Sequence, residues 1–254
     1  MTASAAHYDW FQGHALREGY FLALIENVTP AEMLERLGAE PGETHVGFSA
    51  LTDAHDEIED EILYGDADFA GLTEVAGRNG PWTLMVGING TAGVDDWLMS
   101  TASVGTQIVA HYTDINALTY FHWWKDGEQR TMFEYPATRS GTTPDALVEA
   151  MHRVGIDTVN GTFSVTANLA LAEEVTGIRI TEDLLDNAVY TSSLIELPSE
   201  DWNSVVIDIT DAHGERTHRE LTREQAEHAW NQARARDNQP IPLDSIARDE
   251  PGAS

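Results

Sequence analysis

The 254-residue sequence predicts an α+β fold, a mainly antiparallel sheet of about five to six strands flanked by helices, with a C-terminal hairpin-plus-helix extension. Three observations predict it. Strand-like apolar runs follow one another directly, without the intervening helix that each parallel crossover needs. The dipeptides Asn79-Gly80 and Asp126-Gly127 fall between such runs and favour tight hairpin turns, whose central residues take positive φ. Helix signatures gather before and after this block of strands, around residues 29–38 and 143–188.

Taken in order, YFLALIEN (20–27) is an apolar run with an aromatic start, the pattern of a buried strand. A short helix follows: Thr29 can cap it, Pro30 suits its first turn, Glu32 completes a capping box and Gly38 ends it. Met33, Leu34 and Leu37 form its apolar stripe. The stretch DAHDEIEDEILYGDAD (53–68) carries Ile58, Ile62 and Leu63 at helical spacing, so part of it is expected to be helical. Strands are expected over 69–80 and 81–90, a short helix within 94–105, then strands over 106–115, 117–125 and 129–136, the last two joined at Asp126-Gly127. Residues 143–156 read as a helix capped by Thr143 and closed by Gly155; helices over 166–175 and 181–188 are separated at Thr176-Gly177. Composition shifts near Ser199, which divides the chain into a 1–198 core domain, a 199–236 extension and a 237–254 tail containing three prolines. The extension is expected to hold a hairpin around His213-Gly214 and a helix over 222–236 opened by a Thr222/Gln225 capping box.

Charge narrows the functional classes. There are 43 acidic and 14 basic side chains, a formal charge of -29, and Lys125 is the only lysine. Nucleic acid is excluded, because phosphate neutralisation needs a basic stripe, and an anionic membrane surface is repelled for the same reason. A basic protein partner fits. The absence of cysteine removes disulfides, thiolate metal sites and cysteine nucleophiles. The N-terminus lacks a basic start followed by an apolar run, and Tyr20–Ile25 is too short to span a bilayer, so the protein is read as cytoplasmic.

The ordered motifs YFLALIENVTPAEMLERLGA, GPWTLMVGINGTAG, SVGTQIVAHYTDINALTYFHWWKDGE, TPDALVEAMHRVGI and LALAEEVTGIRITEDLLD resemble the actinobacterial family of unknown function DUF6461, over roughly residues 15–190. The resemblance implies an actinobacterial source, consistent with arginine in place of lysine. It implies no reaction and no catalytic residues, and the segment after about Ser199 lies beyond it.

Two sets of residues carry the functional expectations. Eight carboxylates crowd into residues 53–68 without a lysine or arginine; Asp56, Glu57, Glu59, Asp60 and Glu61, with Trp124 as an aromatic anchor, make a candidate docking surface for a basic protein. The order of acids does not match a calcium loop, and a solvated helix face is the plain alternative. The second set is His111 and His122. If Asn116-Ala117 forms a two-residue turn, the two histidines face each other across adjacent strands, with Tyr120 and Trp124 on the same face, near enough to share a metal or a proton. No third ligand is identifiable. GxSxG, HExxH, Walker and GxGxxG signatures are absent, and GINGTAG (87–93) reads as a strand-ending turn. The reading is a non-catalytic acidic cytoplasmic protein that binds a basic protein partner, in an immunity- or inhibitor-type role, without a cofactor. The alternative is an enzyme or metal-dependent small-molecule binder centred on His111 and His122.

Overall fold

The computed structural model describes residues 3–62, 67–77, 80–161, 164–198, 204–210, 216–222 and 225, with backbone alone at 60–61, 204–210 and 216–220. Within it the apolar run after Gly19 forms strand β1 (Tyr20–Glu26), which occupies the middle of a sheet and is buried on both faces. Its neighbours are β4 (Gly80–Ile88) and β5 (Gln107–Thr113). The full order is β2-β8-β3-β4-β1-β5-β6-β7, where β2 is Thr44–Val46, β3 Ala67–Gly77, β6 Thr119–Lys125, β7 Glu128–Phe133 and β8 Val189–Glu196. Every pairing in it is antiparallel.

The sheet therefore has eight strands rather than five to six. The two additional strands carry weak sequence signals. β2 is three residues long and β8, VYTSSLIE, is rich in hydroxyls, so neither reads as an apolar run. β8 is fixed instead by its neighbours, β3 on one side and β2 on the other. The Asp126-Gly127 turn forms as expected, with φ of 53° and 79° and Lys125 paired with Glu128. Gly77 pairs with Gly80 across the β3–β4 hairpin; the Asn79 half of that expected turn lies outside the described residues.

Helices cover both faces. On one side α1 (Pro30–Leu37) and α3 (Asp96–Ala102) seal a core of Phe21, Ile25, Met33, Leu34, Met85 and Ile108. α1 has the expected anatomy throughout: a Thr29–Glu32 capping box, Pro30 in the first turn and Gly38 in the left-handed conformation at its end. On the other side α2 (Phe48–Ile62), α4 (Val148–Arg153), α5 (Val165–Thr176) and α6 (Glu182–Asn187) join two N-terminal 3-10 helices (Ala5–Gly13 and Ala15–Glu18) over the larger core. The helix expected over 143–156 is confined to Val148–Arg153. Thr143 does not cap it: its N–H and hydroxyl both donate to the Arg130 carbonyl, tying residue 143 to β7.

The first 3-10 segment is held by a polar clamp at Glu173. Tyr8 hydroxyl donates to Glu173 on α5, and Arg179 makes two bonds to the same carboxylate at 2.9 and 2.7 Å.

The chain divides into two compact units, Met1–Pro198 and Ser199–Ser254. In the second, β9 (Ser204–Thr210) pairs antiparallel with β10 (Arg216–Thr222). Thr222 N–H donates to Gln225 Oε1 and Gln225 N–H to Thr222 Oγ1, the reciprocal bonds of a capping box. The remainder of the helix expected over 222–236, and the 237–254 tail, lie outside the described residues.

Candidate functional site

The acidic stretch is helical through Ile62. α2 turns Leu51, His55, Ile58 and Ile62 inward at i, i+4, i+7 and i+11, against Phe69 and its neighbours. Its opposite face exposes Asp53, Asp56, Glu57 and Glu59. Asp56 lies 3.2 Å from the Nδ1 of buried His55; none of the four pairs with arginine or lysine among the described residues. The side chains of Asp60 and Glu61 are outside the described residues.

Trp124 is not part of that surface. It is 4% exposed, buried in the core beneath α1 and α3, because the sheet is covered on both faces and neither side of β6 is free for an aromatic anchor. The exposed tryptophan among the described residues is Trp97 on α3, 62% accessible.

The two histidines do not face each other. Asp114 N–H bonds to Leu118 C=O and Ala117 N–H to Asp114 C=O, which closes a three-residue loop, Ile115 to Ala117, in place of the expected two-residue turn. Asp114 Oδ1 reinforces it by accepting from the N–H groups of Asn116 and Leu118. The register moves by one, so His111 pairs with Phe121 and His122 with Ala110. A one-residue shift reverses the faces. His111 enters the larger core, where its Nδ1 and the Tyr20 hydroxyl are hydrogen-bonded at 2.6 Å; His122 enters the other core beside Trp124 and Tyr120. Desolvation lowers the pKa of His111 to about 3, helped by the charge His122 would bring, and desolvation alone lowers that of His122 to about 4. Both are neutral core residues. His111 Nε2 and His122 Nδ1 have no hydrogen-bond partner among the described residues. No group of three or more potential metal ligands occurs among the described residues.

A different concavity lies at the end of the β5–β6 hairpin. A cleft of about 900 Å³ opens between the 3-10 segments (residues 11–18), the 113–119 turn region and Ser164–Val165 at the start of α5. Its volume is within the range of small-molecule sites. The floor is Thr113 and Thr119, both buried, with hydroxyls 2.8 Å apart. Tyr20 is the cross-strand partner of Thr113, and His111 stands two residues along β5 on the same face, so the Tyr20–His111 pair adjoins that floor within the core. Phe11 lines the cleft and packs edge-on against Tyr20, ring centres 5.2 Å apart. His14, also in the lining, accepts Leu16 N–H at its Nδ1, and desolvation lowers its pKa.

The sequence profile of a family of unknown function, DUF6461, matches residues 1–199. The chain belongs to this family. No curated protein and no solved structure matches it. The DUF6461 match reaches further than the motif resemblance over residues 15–190 and takes in the 3-10 segments that wall the cleft. It ends with the first compact unit, so in this DUF6461 protein α2, both histidines and the cleft fall within the family region, and β9 and β10 fall beyond it. The cleft is not legible in the sequence, because its walls carry no familiar motif. Asp114 was the available clue, since an aspartate that binds its own backbone two residues on initiates a turn.

Proposed function

We propose that the protein works by binding a basic protein partner, in an inhibitor- or immunity-type role in the cytoplasm rather than as an enzyme, with the outer face of α2 as its docking surface. The observation that carries the reading is the exposure of Asp53, Asp56, Glu57 and Glu59 on one helix without an arginine or lysine partner among the described residues. Like charges three and four residues apart destabilise a helix by roughly 0.2–0.5 kcal/mol per pair. Asp53 stands at those spacings from Asp56 and Glu57, and Asp56 stands three before Glu59. A cationic surface laid over α2 relieves this repulsion, and the long-range field of a chain with charge -29 speeds the encounter.

The test is affinity capture from a bacterial extract at low and high salt, using the wild type and a variant with Asp53→Asn, Asp56→Asn, Glu57→Gln and Glu59→Gln. A basic protein retained at low salt by the wild type and lost by the variant is expected. The variant should fold at least as stably, because helix repulsion has been removed. Retention of the same protein by both forms, or of none by either, contradicts the reading.

A further inference from the structure

We propose that the cleft between the N-terminal 3-10 segments, the β5–β6 loop and the start of α5 binds a small organic amine with an apolar body. The chemistry of the lining selects that class. In either direction of the Thr113–Thr119 hydrogen bond, Thr113 Oγ1 keeps an acceptor lone pair for a donor on the ligand. Asp114 uses Oδ1 to hold its own loop, which leaves Oδ2 without a protein donor among the described residues. Glu18 is exposed at the rim and forms no ion pair among the described residues. Two carboxylates and a buried hydroxyl thus face one cationic side chain, Arg17. His14 does not alter that balance, because desolvation favours its neutral form.

The surrounding charge points the same way. A chain with charge -29 repels anions from the cleft mouth and concentrates cations there. The apolar part of the ligand has its own partners in Phe11, Ala117, Val165 and Ile115, the last 85% exposed. A solvent-exposed isoleucine on a loop fastened by Asp114 is a ready apolar wall that needs no rearrangement on binding. The start of α5, with its partial positive charge, also borders the cleft and disfavours a cation beside it, so the amine is assigned to the carboxylates of Glu18 and Asp114 rather than to the Ser164–Val165 wall.

The test is a backbone-amide NMR titration of the full chain with three probes of similar size: phenethylamine, 2-phenylethanol and phenylacetate. Phenethylamine is expected to bind in the millimolar range and to shift amides of residues 11–18, 113–119 and 164–165, with phenylethanol weaker and phenylacetate without effect. Glu18→Gln, an exposed change that leaves folding intact, should weaken phenethylamine binding about three- to tenfold and leave phenylethanol unchanged. Thr113→Val should weaken both. The neutralised α2 variant should bind phenethylamine as the wild type does, which separates this proposal from the fate of the docking surface. Equal binding of phenylacetate, shifts spread over the whole acidic surface, or no shift at the cleft residues would each overturn it.

Discussion

His111 and His122 sit on opposite faces of the β5–β6 pair, and burial holds each in its neutral form. Their consequence is therefore for stability rather than for catalysis. In the unfolded chain both titrate near the ordinary histidine value of about 6.5, whereas in the folded chain they resist protonation down to about 3 and about 4. As pH falls below about 6.5 the unfolded state takes up protons that the folded state refuses, so stability present above that pH is lost on acidification. Each histidine contributes up to about 1.4 kcal/mol per pH unit across this window. His122 gives the cleaner test, because its Nδ1 has no hydrogen-bond partner to lose among the described residues. His122→Phe should match the wild type within about 1 kcal/mol at neutral pH. Its urea-unfolding free energy should then fall less steeply between about pH 6 and pH 4.5, by close to one histidine's share. Parallel slopes for the two proteins would mean that His122 is protonated in the folded state. The comparison cancels the carboxylates, which are common to both.

The β5–β6 loop shows how one small element decides where such residues go. Ala117 takes φ of 64°, a left-handed conformation that glycine adopts freely and alanine adopts at a cost of roughly 1 kcal/mol. Ala117→Gly should accordingly stabilise the protein by about 0.5–1 kcal/mol in a urea titration, with the gain offset in part by glycine's greater freedom in the unfolded chain. A loss of stability would contradict the loop geometry, and with it the register that separates His111 from His122. A loop of Ile115 to Ala117 was hard to foresee for the same reason: alanine is a poor marker of a left-handed position, whereas Asp126-Gly127 announces its turn and forms it. Elements with chemical punctuation were legible. α1 has its cap, proline and glycine where the sequence places them, and the break between α5 and α6 falls at Gly177, again in the left-handed conformation. Elements defined only by what they pair with were not: β2 and β8 have too few apolar residues to declare themselves, yet they complete one side of the sheet. The same distinction applies to the candidate sites. The acidic face of α2 is written in the residues themselves, while the cleft arises from three segments that meet only in the fold.

At the scale of the whole molecule the dominant quantity is charge. With 43 acids and 14 bases, most carboxylates have no cation available to them even if every arginine and the lysine were paired. Among the described residues the arginine ion pairs include Arg130–Glu128, Arg139–Asp145 and Arg153–Glu174, each with at least one partner substantially exposed. Pairs of that kind contribute at most about 1 kcal/mol apiece and are weakened by salt. The unpaired carboxylates repel one another over distances set by the Debye length, about 30 Å at 0.01 M salt and about 3 Å at 1 M. Raising sodium chloride therefore weakens a few modest attractions and a much larger number of repulsions, and the balance favours the folded state. The urea midpoint should rise with salt. The α2 variant with four carboxylates neutralised should start higher at low salt and gain less, because part of the repulsion that salt screens has already been removed. If the wild type instead loses stability as salt is added, attractive pairs outweigh repulsion in the folded chain, and the like-charge repulsion argued for the α2 face does not govern its stability.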